Sequence, residues 1–196
     1  RNSSATRVNA QGLVEDVQIL SGNLVQNGDF SEIGAEEVSN VSFSQEGAEQ
    51  ISNGDFATDT SWDKAIGTTI SDGKLNITAI STNDRTNQNA NLVQGKYYKV
   101  DFEVSNYVGG TLNILMGASA TPNIGNITAN GIYSFYQESI GANSFFYFKG
   151  NLLDASIDNV SVREVGQDWT LGTGWSIAED KASKVSGVTS YLLQPM

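Results

Sequence analysis

The sequence predicts an all-β protein whose centre is a two-sheet β-sandwich, and three observations support that prediction. Gly is abundant, with 20 residues, Pro is scarce, with 2, and short runs of Val, Ile, Tyr and Phe separate stretches rich in Asn, Ser and Thr. This composition is typical of many strands joined by turns. The second observation is the lack of a convincing amphipathic helix: the best candidate, residues 12–19, is short and equally compatible with an extended chain.

The third observation is an alternation of apolar and polar side chains. Residues 97–105 place apolar side chains at the even positions and Lys99, Asp101 and Glu103 on the other face, which predicts a half-buried strand. Short strands at this spacing over about 110 residues favour a sandwich of ordinary size. The predicted strands are 65–70, 74–80, 88–93, 97–105, 111–116, 131–138, 143–148 and 155–164.

Three consecutive 13-residue units precede the sandwich, between Leu24 and Trp62. Each combines a short strand, an Asn-Gly-type turn and an aromatic side chain that a single unit cannot bury. Two interpretations stay open, an ordered stem of stacked units and a linker made of duplicated first strands. The recurring residues are Asn27, Asn40 and Asn53, followed in each unit by Phe30, Phe43 and Phe56.

A second repeat marks another copy of the sandwich domain. Residues 62–70 match residues 169–177 at a constant offset of 107, and residues 91–94 match residues 191–194 at an offset of 100. About three strands cannot close a sandwich, so we expect further chain, or another chain, to complete this copy. The predicted division is 1–23 as an N-terminal extended segment, 24–49 as short β repeats, 50–165 as the sandwich domain and 166–196 as a partial second copy.

Charge and missing residue types exclude several kinds of partner and chemistry. The net charge of -11 argues against nucleic acid as a partner, because proteins that bind nucleic acid carry basic surfaces. The chain has no Cys and no His, which excludes disulfides, thiol nucleophiles and the usual transition-metal ligands. Any bound metal is therefore expected to be a hard cation held by oxygen, with calcium the natural candidate. No apolar run is long enough to span a membrane.

Several short motifs of the centre resemble jelly-roll carbohydrate-binding modules. These are Asn53-Gly54-Asp55-Phe56, then Trp62, the segment 92–100 and the closing segment 157–162. The resemblance covers about 115 residues and implies a jelly-roll fold and a protein that binds rather than catalyses.

The N-terminal region resembles a different group. Residues 1–9, followed by Gly12-Leu13-Val14-Glu15, are similar to a segment of bacteriophage tail-fibre and other virion structural proteins, in which reiterated Asn-Gly-Asp-Phe units and tandem jelly rolls follow. The chain departs from that pattern at the middle unit, where Val41-Ser42 replaces Gly-Asp. We expect this unit to have lost its tight turn.

The resemblance to carbohydrate-binding modules implies a structural calcium that joins the first turn to the last strand. The matching acids are Asp55 and Asp158. The alternative is that each caps its own turn by accepting hydrogen bonds from backbone N–H groups.

Exposed aromatic side chains with polar neighbours are the usual platform for a sugar ring. The candidates are Trp62, Tyr107, Tyr133 and Tyr136, with Tyr147 as a further one, although the recurrence of Trp62 as Trp169 favours a packing role. Paired carboxylates for glycoside hydrolysis are the remaining possibility, in Asp101 with Glu103 or in Asp154 with Asp158, but solvated strand faces explain these charges more simply. We expect no enzyme.

The expected function is therefore a non-catalytic structural or adhesive component of a phage particle, as a fibre, appendage or capsid decoration outside the cell. Expected partners are other copies of the chain, as a homo-oligomer such as a trimer, other virion proteins and a cell-surface glycan. The alternatives are a carbohydrate-binding module of a secreted polysaccharide-degrading enzyme and a bacterial surface or matrix adhesin.

Overall fold

The computed structural model describes residues 6–16, 34–78, 84–117 and 124–194. Within these ranges all regular secondary structure is β-strand, so the all-β prediction is confirmed. The chain divides into two compact units, residues 1–37 and 38–196. No helix in the described ranges is long and apolar enough to cross a membrane.

In the described part of the first unit, β1 (Thr6–Val8) and β2 (Val14–Asp16) form an antiparallel hairpin. Its loop is closed by Asn9, whose side-chain oxygen accepts hydrogen bonds from the backbone N–H groups of Gln11 and Leu13, each at 3.0 Å. Asn commonly stabilises turns in this way.

The second unit contains the remaining strands. They are β3 (Glu46–Glu49), β4 (Thr68–Ser71), β5 (Lys74–Ile77), β6 (Asp84–Asn89), β7 (Tyr97–Met116), β8 (Ile124–Ile127), β9 (Gly131–Glu138), β10 (Phe145–Val165), β11 (Thr170–Leu171), β12 (Trp175–Ala178), β13 (Lys181–Lys184) and β14 (Leu192–Leu193).

Two long antiparallel strands, β7 and β10, pair with each other along most of their length and pass through both layers of the sandwich. Their pairing is interrupted near the middle, where Leu152 has a positive φ of 48° and Gly110 one of 83°. A Cβ at Gly110 would overlap the Leu152 carbonyl oxygen, so only glycine allows the two strands to approach at this bend.

The bend divides the sheet into two layers. The first layer contains β6, β8, residues 145–151 of β10 and residues 111–116 of β7. The second contains β3, β4, β5 and β9 around the remaining parts of β7 and β10.

Aromatic rings fill the space between the layers. Phe102 of the second layer meets Phe148 of the first edge to face, with ring centroids 5.9 Å apart. Both are 1% exposed, and Trp62 packs on Phe148 and on Phe146 from the end of the sandwich. Burial of each such ring contributes roughly 1.5–3 kcal/mol, so these contacts hold the two layers together.

Most predicted strands exist, with different ends. The prediction for 131–138 is confirmed. The predicted strands 97–105 and 111–116 are two parts of the single strand β7. The predicted strands 143–148 and 155–164 are likewise two parts of β10, which begins at Phe145. The prediction for 88–93 is wrong beyond Asn89, because Asn91 has a positive φ of 48° that ends the extended chain. The end of 74–80 lies outside the described residues. β3 and β8 were not predicted, since Glu46–Glu49 has no apolar alternation.

Candidate functional site

The outer surface of the first layer, called the aromatic face below, combines rings, amides and cations. Alternate residues of β10 and β6, such as Phe146, Phe148, Thr86 and Gln88, point into the core and are buried. Their neighbours in the strands therefore point outward. These neighbours and the matching residues of β7 are Arg85, Asn87, Asn89, Asn113, Leu115, Phe145, Tyr147 and Lys149.

Two half-buried rings lie at the centre of the aromatic face. Phe145 and Tyr147 are two residues apart on β10, with ring centroids 6.0 Å apart and an angle of 33° between the planes. Asn89 lies opposite Phe145 in the register, and Asn87 lies opposite Tyr147. On the β7 side, Leu115 lies opposite Tyr147 and is fully buried. The arrangement is a ring pair with side-chain amides beside it.

Two cations lie at one end of the ring pair. Lys149 is opposite Arg85 on one side and Asn113 on the other. Among the described residues neither cation has a carboxylate within ion-pair distance, and Arg85 Nε is buried without a hydrogen-bond partner. Asp63, which forms an isolated β-bridge with Asn87 of β6, accepts a hydrogen bond from Asn87 Nδ2 at 3.2 Å. A positive spot is notable on a chain with a net charge of -11.

The chemistry of this face suits a polar ring-shaped ligand. The C–H face of a sugar packs against an aromatic ring, while amide and cationic groups supply hydrogen bonds to hydroxyl or carboxylate oxygens. Residues 79–83 and 118–123, which flank β6 and β8, are not described.

The outer surface of the second layer is different, because its charges pair with one another. Lys99 Nζ lies 2.7 Å from Glu46 Oε1 and 3.7 Å from Asp101. The hydrogen bond with Glu46 raises the pKa of Lys99, against the smaller effect of burial. Pairing of this kind leaves less charge free for a ligand.

Glu49 joins β3 to the last part of β10. Its carboxylate accepts hydrogen bonds from Ser161 Oγ at 2.6 Å and from Val162 N at 2.8 Å, and it also contacts Arg163 Nε. Burial raises the pKa of Glu49, but the bonds from Ser161, Val162 and Ile51 and the Arg163 charge together outweigh burial and leave that pKa below its ordinary value. The carboxylate is thus a structural clamp.

The four predicted glycan residues lie in different places. Trp62 is 7% exposed, and its indole N–H donates to the Asn53 carbonyl at 3.1 Å, so its prediction as an exposed platform is wrong. Tyr133 stacks on Phe102 with ring centroids 5.4 Å apart, and its hydroxyl donates to Ala129 O.

Tyr107 also packs against the core, and its hydroxyl donates to Gly110 O at 2.7 Å. Tyr136 lies opposite Lys99 on the outer surface of the second layer. Burial raises the pKa of Tyr136 and the Lys99 charge lowers it, but nearby acids add to the effect of burial, so that this pKa lies above its ordinary value. Of the candidates from the sequence, Tyr147 is the one on the aromatic face.

The predicted calcium ligands each cap a local turn. Asp55 Oδ1 accepts a hydrogen bond from Ala57 N at 3.3 Å, and Asp158 Oδ1 accepts one from Asn159 N at 2.7 Å. The two segments are joined, since Val160 N donates to Gly54 O at 2.9 Å. Two carboxylates alone fall short of the six to eight oxygens that calcium takes, so carbonyls or water would have to complete the site. The described ranges contain no cluster of three or more acidic side chains placed to hold a metal. Calcium stays a prediction.

The candidate catalytic carboxylates lie on strand faces. Asp101 and Glu103 share the outer side of β7, where Asp101 neighbours Lys99 and Glu103 accepts a hydrogen bond from Asn159 Nδ2 at 3.4 Å. Glu103 is also opposite Asp158 in the register.

Comparison with known proteins gives fold likenesses only. The chain matches no protein-family model, and no curated protein is similar to it in sequence. Among solved structures, it is similar to the CBM1 of BiXyn10A, with 17% identity and a TM-score of 0.41 over 57% of this chain and 92% of that one.

Two other solved structures give comparable values. The enzymatically active domain of tailspike protein 4 of bacteriophage CBA120 shows 17% identity and a TM-score of 0.43, over 59% of this chain and 21% of that one. A family 29 carbohydrate-binding module from Piromyces equi shows 12% identity and a TM-score of 0.38, over 55% and 82%. Likenesses at this level do not assign a function.

Sequence reasoning missed Phe145, Arg85 and the flanking amides. The run Phe145-Phe146-Tyr147-Phe148 is aromatic at every position, so it does not show which alternate residues face the core. The signal in the sequence is Lys149, which fixes the odd positions as the outer ones.

Proposed function

We propose that the chain is a non-catalytic binding and assembly component of an extracellular structure, a phage particle in the first place, and that its aromatic face binds a glycan. The observation that supports glycan binding is the ring pair of Phe145 and Tyr147 with Asn87 and Asn89 opposite them. The N-terminal resemblance to virion structural proteins supports the location, with other copies of the chain and other virion proteins as partners.

The contrast between the two outer surfaces supports the choice of face. Lys99 and Arg163 on the second layer are paired with Glu46 and Glu49, so a ligand there would have to displace existing ion pairs. The side chains of Arg85 and Lys149 have no such partner among the described residues. Display of several copies would add avidity to a weak single site.

The test is affinity electrophoresis of the whole chain through gels that contain one soluble polysaccharide each, from neutral glucans, xylans and mannans to polygalacturonate. Tyr147→Ala should weaken binding about tenfold, as expected when one stacked ring worth about 1.4 kcal/mol is lost. Tyr136→Ala, on the other outer surface, is the matched control and should bind like the unchanged chain.

Retardation on polygalacturonate alone, with loss in Lys149→Ala, would assign the cations to a sugar carboxylate. Binding that survives Tyr147→Ala but is lost in Tyr136→Ala would refute the aromatic face as the site. If the chain stays monomeric at high protein concentration, this would favour the alternative function, a carbohydrate-binding module of a secreted enzyme, over an assembly component.

A further inference from the structure

The third 13-residue unit opens the sandwich domain through a defined set of contacts. Asn53 and Phe56 both have a positive φ, of 52° and 50°, and Phe56 N donates to Asn53 O at 3.3 Å. The same Asn53 carbonyl accepts the indole N–H of Trp62 at 3.1 Å, and the Phe56 and Trp62 rings lie 5.4 Å apart at 40°. This turn seats the tryptophan at the end of the core.

The second unit makes the same set of contacts with the second copy of the domain. Asn40 and Phe43 have positive φ values of 47° and 56°, and Phe43 N donates to Asn40 O at 3.0 Å. The Asn40 carbonyl accepts the indole N–H of Trp169 at 3.2 Å, and the Phe43 and Trp169 rings lie 5.2 Å apart at 37°. The tight turn is therefore kept, although Val41-Ser42 replaces Gly-Asp, and the expectation that it is lost is wrong.

In each unit, a glutamine side chain forms two hydrogen bonds with the backbone of the Ser that precedes the Asn. Gln88 accepts from Ser52 N at 2.6 Å and donates to Ser52 O at 2.9 Å. Gln194 accepts from Ser39 N at 2.9 Å and donates to Ser39 O at 2.8 Å. Gln194 thus takes the place of Gln88, which corrects the sequence match of residues 191–194 with residues 91–94.

The hairpins that follow the two tryptophans also agree. Gly67 and Gly174 have φ values of 78° and 80°, and their carbonyls accept hydrogen bonds from Thr78 N and Val185 N, both at 2.9 Å. The turn between β4 and β5 has positive φ at residues 72 and 73, and the turn between β12 and β13 has it at residues 179 and 180.

The two units differ in what the chain does next. After Phe56 it reaches Trp62 within a few residues, and Thr58 O and Thr60 O accept hydrogen bonds from Asn53 Nδ2 on the way. After Phe43 the chain instead enters β3 and the sandwich domain. Among the described residues, the buried Asn40 Nδ2 has no hydrogen-bond acceptor.

We infer that residues 38–45 are the opening segment of the second module, so that the sandwich domain, which begins with β3 at residue 46 and ends at residue 165, is inserted between the first turn of an outer module and its first tryptophan. The ends of the inserted domain are close enough for this. Gln50 N donates to Val162 O at 2.9 Å, and β3 pairs with Val165. Insertion at adjacent ends leaves the host fold undisturbed.

Hydrogen exchange of the whole chain tests the insertion. In Phe43→Ala, amides of β11 to β14 should exchange at least tenfold faster, because they lose the segment that seats Trp169. Amides of β7 and β10 should keep their protection. Val41→Ala is the matched control, since Val41 lies in the same turn with its side chain 58% exposed and should change neither set.

Unchanged exchange of β11 to β14 in Phe43→Ala would overturn the inference, because residues 38–45 would then be a linker beside an independent second module. Equal acceleration of β7 and β10 would overturn it as well, because the segment would then belong to the inner domain. A second variant, Gln194→Ala, guards against a folding defect caused by Phe43→Ala: it should accelerate the same amides, and protection retained in it would contradict the shared opening.

Discussion

Trp62 and Trp169 have the same local structure and different surroundings. Each indole N–H donates to the carbonyl of an Asn, and each indole ring packs on the Phe that lies three residues after that Asn. Trp62 is also covered by Phe146 and Phe148 of β10, whereas Trp169 has Phe43 as its described ring partner. The 13-residue unit therefore forms its turn and seats its tryptophan without contacts to the long strands, and the long strands supply the burial of the tryptophan ring.

The largest difference between the modules is expected from truncating each tryptophan. Trp62→Ala should lower the free energy of unfolding by about 3–5 kcal/mol, because it opens a cavity under a complete sandwich. Trp169→Ala should cost about 1–2 kcal/mol, since its site is half-buried. Urea titration followed by circular dichroism measures both. Equal losses would mean that the outer module is as well packed as the inner one.

Substitution of the second residue of each turn should have the next largest effect on stability. A Cβ at Gly54 would overlap the Val160 carbonyl oxygen, whereas Val41 is exposed at the matching position. Gly54→Val should therefore destabilise the chain by about 2–3 kcal/mol, and Val41→Gly by less than about 1 kcal/mol. Thermal melts distinguish the two substitutions. An unchanged melting temperature in Gly54→Val would show that β10 does not need this close approach.

The fold class and the repeats were predictable from the sequence, because alternation and recurrence are local patterns. The bend at Gly110 and Leu152, the pairing of Glu46–Glu49 with β10 and the equivalence of Gln194 with Gln88 were not, because each depends on contacts between residues far apart in the chain. Similarly, Tyr147 could be proposed from its type, but Asn87 and Arg85 join it only through the register of β6 and β10.

A smaller, pH-dependent effect is expected at the junction of the two modules, where Glu49 holds β3 on β10. The pKa of Glu49 is lower in the folded chain than its ordinary value of 4.5. The ionised carboxylate therefore stabilises the fold fully above about pH 4.5, and this stabilisation is lost as the pH falls through the lowered pKa of the folded chain. Glu49→Gln should therefore lower the melting temperature at pH 7, and the difference from the unchanged chain should shrink at pH 3. A difference that is constant with pH would exclude the ionised carboxylate as the cause.

The smallest effect concerns calcium, for which the inner turn has Asp55 and the outer turn has Ser42. If Asp55 and Asp158 hold the ion, calcium should raise the melting temperature of the chain by a few degrees, about 1 kcal/mol. Asp158→Ala should abolish that rise, and Ser42→Ala should leave it unchanged. Identical melting curves with calcium and with chelator would remove the proposed ion.

The most direct test of the shared opening is a double-mutant cycle on Phe43 and Trp169, with Phe56 and Trp62 as the reference pair. Because Phe43 seats Trp169, we expect Phe43→Ala and Trp169→Ala to be non-additive in the free energy of unfolding, with a coupling of about 0.5–1.5 kcal/mol that resembles the coupling of the reference pair. Additive effects for Phe43 and Trp169, beside a clear coupling for Phe56 and Trp62, would contradict the shared opening.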